Sequence, residues 1–464
     1  MRAPLFGTGL QAKSQNVSSQ RRLNLYIEQR NEEDGTRFVL EGTPGLAVPL
    51  VDFGDTAPRG EHGLGNFLYV VHRGTFWQVN NAGVATNRGT LNTTTGRVWF
   101  ADDGTKIMIT DGVNGYTYDT SAPATPLAQI VDPDYVAANT VTWQDHYFIQ
   151  DQVNSGRFYI SVLNDPTSWN ALDFANAESN PDNLVRIIAD HGELCLFGEY
   201  TVEFWGNSGA ADFPYVRLGS AVVEWGLAAR ESLVKFDSSL MFLGRNRDGQ
   251  TEVVLLNGYT PQPVGGQDFL NALDSYSTVL DATAFSYKRA GIAFYQINFP
   301  TANKSWLYNG STKTWCEVGF DAARHPGNMA TLFLNQTMVA DYQIGRIYRL
   351  DPTTYTFNGT TIPREVISRT MKTDKYQRIS RLWIDIETGV GNTVDPGSNP
   401  VAMLSISEDS GRSFGNPIMR AFGAIGDYLL DLWYERLGSS KSWTFKLRIT
   451  DAVKVSIKAD GWID

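Results

Sequence analysis

The sequence predicts an all-β fold: a β-propeller of six or seven blades, preceded by an extended N-terminal arm and followed by a β-sandwich-like domain. Three observations support this. A strand signature of aromatic or branched residues that run into an Asn, Asp or Gly turn recurs about every 40–50 residues. After residue 351 this period stops and alternating strands follow. The 12 Trp, 20 Tyr, 24 Phe and 43 Gly suit sheets joined by tight turns.

The repeated signature occurs seven times, and hairpin signals accompany it. For example, a strand at residues 106–110 turns at Asp111-Gly112 into the next strand, and Asp-Gly between two strands is a strong hairpin signal. Seven units predict seven blades. Six blades is the alternative, since a strand from one chain end often completes a blade begun at the other. The seven anchor residues are Val79, Tyr118, Ile160, Phe204, Leu256, Tyr308 and Leu350.

The change of pattern along the chain predicts four segments. Residues 1–46 are an N-terminal arm and first strand, and 47–352 are the propeller. Residues 353–363, rich in Thr, Asn, Gly and Pro, are a linker, and 364–464 are the C-terminal β-sandwich-like domain. The polar, aperiodic stretch at 11–20 indicates an arm that orders against a neighbour, or alternatively a frayed terminus.

The charge distribution is uneven along the chain. The net charge of −11 argues against general DNA binding, which needs a basic surface. The acidity lies within residues 1–363, whereas a basic cluster begins the last domain. This cluster is either a solvated strand edge, guarded by its charges against edge pairing, or a contact for nucleic acid or an acidic partner surface. Its members are Arg369, Lys372, Lys375, Arg378 and Arg381, next to Arg364.

The remaining sequence features limit the location and the cofactors. Cys195 and Cys316 have no metal-ligand partner at a typical spacing, so we expect two neutral thiols in a reducing cytoplasm. The N-terminus lacks the apolar region of a signal peptide. No stretch approaches the roughly 18 apolar residues of a membrane-spanning helix. We therefore expect no metal, no cofactor and no membrane-spanning segment.

One turn resembles a known motif. Ser407, Asp409, Gly411 and Phe414 fit the pattern Ser-x-Asp-x-Gly-x-Ser-aromatic, which resembles the Asp-box turn of sialidases. In that family the turn is structural, because Asp accepts backbone N–H bonds, Gly takes the left-handed corner and the aromatic ring packs beneath. We expect the same structural role here.

Catalytic motifs are absent from the sequence, which contains no GxSxG, HExxH or P-loop pattern. We therefore expect no catalytic residues. The alternative is a propeller-fold carbohydrate-active enzyme or glycan-binding protein, sialidase-like or a depolymerase. Such an enzyme needs two carboxylates close in space, and Asp102, Asp145 and Asp190 are the candidates.

Motifs at both ends of the chain carry a resemblance to one family. Asn24-Leu25-Tyr26-Ile27-Glu28, followed by Thr43-Pro44-Gly45-Leu46, resembles the opening of packaged-DNA stabilisation proteins, the tail hub or nozzle proteins of short-tailed bacteriophages. The family pattern has Pro where this chain has Ile27. The stretches at 404–411, 423–428 and 433–438 are similar to the closing region of those proteins.

This resemblance implies a non-enzymatic virion protein, assembled in the host cytoplasm as a hexameric ring. It implies that the ring closes the DNA channel below the portal and adaptor proteins, retains the genome and later lets double-stranded DNA pass. It also implies docking of a tail needle, fibres or spikes. The residues it nominates for assembly are Arg22, Asn24, Tyr26, Glu28, Thr43, Pro44, Gly45 and Arg436.

Overall fold

The computed structural model describes residues 2–7, 9, 12, 18–32, 35–177 and 182–464. The chain begins with strands that belong to both domains of the molecule. Leu5 and Phe6 follow the first strand and are buried in the core of the C-terminal domain. The stretch at 11–20 lies largely outside the described residues. The N-terminal strands are β1 (Arg2–Pro4), β2 (Arg21–Leu23), β3 (Leu25–Glu32), β4 (Gly35–Gly42) and β5 (Gly45–Asp52).

The first four blades are consecutive four-stranded antiparallel sheets. Their second strands, such as Phe67–His72, are buried because both faces of a blade pack on neighbouring blades. The strands are β6 (Pro58–Leu64), β7 (Phe67–His72), β8 (Thr75–Val79) and β9 (Ala85–Thr90); β10 (Trp99–Asp102), β11 (Lys106–Thr110), β12 (Gly115–Asp119) and β13 (Ala128–Gln129); β14 (Ala138–Gln144), β15 (Tyr147–Gln152), β16 (Arg157–Val162) and β17 (Asp165–Asn176); β18 (Leu184–Asp190), β19 (Glu193–Gly198), β20 (Val202–Asn207) and β21 (Tyr215–Val223).

The fifth blade has a divided inner strand. A single 3-10 turn, Arg230–Ser232, separates β22 (Gly226–Leu227) from β23 (Val234–Phe236), and both pair with β24 (Ser239–Arg245). Helix α1 (Gly266–Asp274) follows this blade and buries Phe269. The other strands of the fifth and sixth blades are β25 (Thr251–Asn257) and β26 (Thr260–Pro263), then β27 (Thr283–Arg289), β28 (Ile292–Phe299), β29 (Lys304–Asn309) and β30 (Thr314–Glu317).

The seventh blade closes the ring with a strand from the other end of the chain. β31 (Gly327–Phe333), β32 (Gln336–Asp341) and β33 (Arg346–Asp351) pair in order, and β5 pairs antiparallel to β33, with Asp351 opposite Gly45. Inner strand β31 contacts β6, so the first and last blades touch. The predicted β-propeller is confirmed, and the strand pairing resolves the blade number as seven.

The C-terminal strands form a β-sandwich-like domain with its own apolar core, which includes Leu404, Trp443 and Phe445. Its sheet also takes up β3 and β4, so strands of the predicted N-terminal segment (1–46) pair with the predicted C-terminal domain (364–464). A small hairpin on β5 lies within the predicted linker. The segment bounds themselves remain a prediction. The strands are β34 (Thr356–Phe357), β35 (Thr360–Thr361), β36 (Arg364–Ile367), β37 (Met371–Ile386), β38 (Val401–Ser407), β39 (Ile418–Ala421), β40 (Leu432–Ile449) and β41 (Ser456–Ile463).

One sheet runs through both domains. Its order is β27-β28-β29-β30-β2-β36-β40-β37-β41-β4-β3, with β1 on β41, β38 on β40 and β39 on β38. β2 is the link: it is parallel to β30 through Leu23 and Glu317, and antiparallel to β36 through Arg22 and Val366. The sixth blade therefore continues without a break into the C-terminal domain.

Candidate functional site

The motif around Asn24 lies at the boundary between the two domains, which we call the domain joint: residues 21–24, 43–45, 317–319 and 363–365. Asn24 is fully buried and has a left-handed backbone (φ 54°). Its Nδ2 donates to the carbonyls of Gly319 and Pro363, both at 2.7 Å, and its Oδ1 accepts from the Gly319 N–H at 2.8 Å. The side chain thus ties the propeller to the segment that enters the C-terminal domain.

Two fully buried arginines pack in the joint. Arg22 Nη1 donates to the carbonyls of Gly7 and Gly9, both at 2.8 Å, and its Nη2 donates to the Trp315 carbonyl at 2.7 Å. Burial lowers the pKa of Arg364 to about 10, and its Nη2 lies 3.4 Å from the Thr43 carbonyl. Backbone carbonyls receive these guanidinium donors, which fixes the chain segments against one another.

An ion-pair network borders the joint where it meets solvent. Arg21 bonds Glu317 at 2.7 Å and Glu365 at 3.0 Å, and Arg448 bonds the second Glu365 oxygen at 3.0 Å. Arg448 also reaches Asp321 at 3.0 Å, which lowers the pKa of that carboxyl. The network links β2, the sixth blade and the C-terminal sheet.

The other N-terminal residues nominated for assembly also lie largely inside the subunit. Tyr26 packs edge-on against Phe294 at 5.0 Å, and burial raises its pKa to about 12. Thr43, Pro44 and Gly45 are buried. A Cβ on Gly45 would lie 2.4 Å from the Thr354 carbonyl, so this position requires glycine. These contacts indicate that Tyr26, Thr43, Pro44 and Gly45 act inside the subunit. Glu28 is partly exposed and bonds Arg30 at 3.1 Å, and Arg436 is exposed.

A buried histidine lies beside the joint, between the sixth and seventh blades. His325 Nδ1 accepts from the Gly327 N–H at 2.9 Å, and its ring packs edge-on against Phe357 at 4.6 Å. Burial lowers its pKa to about 3, so the ring is neutral in the folded protein at ordinary pH.

The predicted basic cluster lies on an exposed two-stranded ribbon. Residues 371–381 of β37 pair with 435–443 of β40, and their side chains are mostly exposed. We call this hairpin-like extension the basic ribbon. Its carboxylates are Asp374 and Glu435, and the latter bonds Arg381 at 3.2 Å. Its cations are Lys372, Lys375, Arg378, Arg381, Arg436 and Lys441, with Arg369 just before it.

An exposed apolar loop of the same domain was missed as a site. Ile425, Tyr428 and Leu430 are exposed, and Leu429 is 98% exposed. The sequence signal is the run Tyr428-Leu429-Leu430, which has no polar alternation to place it in a strand. Together with the basic ribbon, this loop gives the C-terminal domain a surface suited to partners.

The Asp-box-like turn is held by its own side chains. Asp409 Oδ1 accepts from the N–H groups of Arg412 at 3.0 Å and Ser413 at 2.9 Å, while Ser407 Oγ donates to it at 2.6 Å. These bonds hold the pKa of Asp409 well below its usual range. Gly411 takes the left-handed corner, and Lys446 lies over the Phe414 ring at 4.5 Å. All four motif residues contribute to the turn or its packing.

The propeller axis contains a cavity of about 900 Å³. Inner strands of six blades line it, and the 3-10 turn of the fifth blade projects Glu231 into it. Arg97 and Arg186 both lie against Trp99, with their guanidinium carbons 5.3 and 4.1 Å from the centre of its ring. Sequence reasoning missed this group because its members come from separate blades.

The three candidate glycosidase carboxylates occupy the ends of neighbouring inner strands and their turns. Asp102 bonds His62 at 2.8 Å, Asp190 bonds His191 at 2.8 Å, and Asp145 lies in the turn after β14. Within the described residues, no group of three or more His, Cys, Asp or Glu side chains could hold a metal ion. Cys195 and Cys316 are buried free thiols, and burial raises the pKa of Cys316 to about 12.

No helix in the part of the chain that the structure describes is long and apolar enough to cross a membrane. No curated protein matches this sequence significantly. Among the solved structures that resemble the chain weakly are YCF48 bound to D1 peptide (11% identity, 67% of this chain and 98% of that one, TM-score 0.42) and the WD40 β-propeller domain of Doa1 (10%, 66% and 97%, 0.41). Another is an exo-β-1,3-galactanase from Phanerochaete chrysosporium with galactose (10%, 90% and 99%, 0.31). Likenesses at these TM-scores support no functional argument.

The family comparison covers both domains. Residues 19–355 match the family described as bacteriophage P22 Gp10, β-propeller, and residues 364–460 match bacteriophage P22 Gp10, β-sandwich. The two matches follow the order of the observed domains and leave only short segments outside. The chain therefore belongs to the P22 Gp10 family of phage DNA stabilisation proteins and is a structural protein of the virion.

Proposed function

We propose that this protein is a tail hub, or nozzle, subunit that closes the DNA channel below the portal and adaptor and retains the packaged genome. The observation that carries the proposal is the match of both domains, in order, to the DNA stabilisation family. In this role the protein forms a ring of six copies in the host cytoplasm, lets DNA pass at ejection and docks a needle, fibres or spikes. It has no catalytic role.

The charge distribution supports this proposal. An acidic body repels DNA phosphates, so DNA slides past without adhering, since adhesion grows with the number of Lys and Arg contacts to phosphate. The basic ribbon is the exposed exception, and a positive surface suits an acidic surface on a neighbouring copy or on another tail protein. The N-terminal motif residues act inside the subunit, where they hold the C-terminal domain and its ribbon in place.

The test uses a phage that encodes the triple variant Lys372→Gln, Lys375→Gln, Arg378→Gln. The matched control removes three exposed cations of the propeller, Arg157→Gln, Lys288→Gln, Arg349→Gln. We expect the ribbon variant to give fewer DNA-filled particles and to leak DNA, and the control to resemble wild type. Particle counts by electron microscopy and nuclease-sensitive DNA are the measurements.

Two results would overturn the proposal. One is normal DNA retention by virions that lack the protein altogether. The other is hydrolysis of a polysaccharide by the purified chain that is lost in Asp102→Asn or Asp190→Asn, which would favour the carbohydrate-active alternative. Native mass spectrometry of the purified protein tests the ring separately, since six copies of a 51.5 kDa chain are expected.

A further inference from the structure

The axial cavity of the propeller contains an arginine without a carboxylate partner. Arg186 Nη1 donates to the carbonyls of Leu233 at 2.5 Å and Arg230 at 3.2 Å, both next to the 3-10 turn. Among the described residues, no carboxylate oxygen lies within 4 Å of its guanidinium, and Nε and Nη2 make no hydrogen bond and stay open to the cavity. Two donor nitrogens are therefore presented to whatever fills this space.

A second arginine of the cavity is also poorly paired. Arg97 Nε is buried without a hydrogen bond, and it lies 3.9 Å from the Glu231 carboxylate, too far for one. Behind it, Glu61 is buried, and neither of its carboxyl oxygens has a hydrogen-bond partner. Burial raises the pKa of Glu61 well above its usual range, which disfavours its charged form. Glu231 is thus the lining carboxylate nearest to these two cations, and it makes a hydrogen bond to neither of them.

The side chains at the mouth of the cavity are paired, and both lysines there lie next to a carboxylate. His62 bonds Asp102 at 2.8 Å, Lys235 lies 3.5 Å from Asp190, and Lys288 bonds Asp237 at 2.6 Å. The excess positive charge is therefore internal. An enclosed charge without a counter-ion is costly, which makes an anion at Arg186 favourable.

The shape and the lining of the site select the kind of anion. A guanidinium with two open N–H groups matches the planar oxygens of a carboxylate. Glu231 would repel a second negative charge, which disfavours a phosphate or sulfate dianion. Beyond the arginines the lining is mixed, and Leu233, Phe285 and Met329 supply its apolar part. This lining suits a carboxylate that carries an apolar group.

We propose that the axial cavity binds such a carboxylate. Its oxygens accept hydrogen bonds from the open donors of Arg186 beside Trp99, and its apolar part packs against Phe285 and Met329. A free organic acid and the C-terminus of a peptide chain offer the same chemistry. The proposal does not depend on the tail-hub function, because it rests on the cavity alone.

The test is isothermal titration calorimetry on the full-length protein with four probes. They are N-acetyl-phenylalanine, its neutral amide, and a hexapeptide ending in Phe with a free or an amidated terminus. We expect the acids to bind and the amides to bind at least about tenfold more weakly, since a charge-assisted hydrogen bond contributes that much. Equal binding of both acids assigns a small-molecule source, and binding of the peptide acid alone assigns a chain end.

Three variants locate the binding. Arg186→Gln should weaken acid binding about tenfold. Ala330→Phe, which fills the cavity and leaves both arginines in place, should abolish it. Lys235→Gln, at the mouth, should stay within about twofold of wild type. Circular dichroism checks that each variant is folded. The proposal is overturned if no acid binds to the wild type at 10 mM (about −2.7 kcal/mol), if amides bind as well as acids, or if Ala330→Phe binds normally.

Discussion

The domain joint and the basic ribbon use the same residue types for opposite purposes. In the joint, Arg22 and Arg364 are fully buried and donate to backbone carbonyls. In the ribbon, Lys375 and Arg378 are exposed on two paired strands with few buried neighbours. The difference teaches that burial decides the role of a cation: Arg364, predicted beside the basic cluster, acts within the subunit, whereas Arg436 of a family-like stretch lies on the external surface.

We therefore expect the stability of the fold to depend on the joint, and assembly to depend on the ribbon. In the joint, the Asn24 amide and the Arg22 Nη groups bond buried backbone groups that water cannot reach without opening the core, so the loss of these bonds is costly. Cations on the ribbon keep their water when a partner is absent, so their loss changes the folded chain little. Four changes should lower the stability of the protein by decreasing amounts.

Acidification should destabilise the region beside the joint through His325. The folded pKa is about 3 and the unfolded value about 6.5, so the unfolded state binds the additional proton between those values. Stability is fully present above pH 6.5 and falls by up to about 1.4 kcal/mol for each pH unit below it, until about pH 3. Urea unfolding from pH 7 to pH 4 should show this slope. His325→Gln, whose amide can still accept from Gly327, should flatten it, and an unchanged slope would contradict the assignment.

Asn24→Ala should cost about 4 kcal/mol of unfolding free energy, because one N–H and two carbonyls of buried backbone lose their partners and the left-handed backbone disfavours Ala. Asn24→Gly removes the same hydrogen bonds but tolerates that backbone. We expect it to recover about 1 kcal/mol. Chemical denaturation of both variants measures the difference. A loss below about 1 kcal/mol for Asn24→Ala would mean that this side chain does not hold the joint.

Gly45→Ala should cost about 2 kcal/mol, because the new methyl group would meet the carbonyl oxygens of Thr354 and Thr356 at 2.4 and 2.6 Å. Gly45 also begins β5, the strand that closes the seventh blade. Gly219→Ala is the control, since a Cβ there has no atom within 4 Å. Thermal unfolding should separate the two, and equal melting temperatures would show that the closing strand can shift to accept a side chain.

The ribbon variant Lys372→Gln, Lys375→Gln, Arg378→Gln should change the unfolding free energy by no more than about 0.5 kcal/mol. These side chains are exposed, and water replaces whatever weak interactions they make. Urea denaturation of the purified chain measures this, and it validates the DNA-retention test because any assembly defect then belongs to the surface. A loss comparable with that of Gly45→Ala would remove the distinction between joint and ribbon.

The blades could be predicted because their central strands are apolar and regularly spaced. The strand at 106–110 and the turn at Asp111-Gly112 lie where the sequence places them. The outer strands β9 and β13 could not be predicted in the same way. Ala85–Thr90 and Ala128–Gln129 are short, polar and mostly exposed, so they leave no periodic signal.

The joint and the axial cavity depend on contacts between distant parts of the chain. Asn24 meets Gly319, and Arg97 and Arg186 meet around Trp99 from different blades. A sequence pattern records local periodicity and carries no such pairing. The motif identified Asn24 and Gly45 as candidates for assembly, but only their burial in the structure shows that they act within the subunit. The basic ribbon was found because its charges are adjacent along the chain.

The continuous sheet through β30, β2 and β36 has a mechanical consequence. A force applied to the C-terminal domain passes into the sixth blade through β2 rather than through a flexible tether. The same N-terminal segment also supplies β5, the strand that closes the ring. Tension on one domain is therefore shared with the ring closure of the other, so the chain responds to load as a single stiff body.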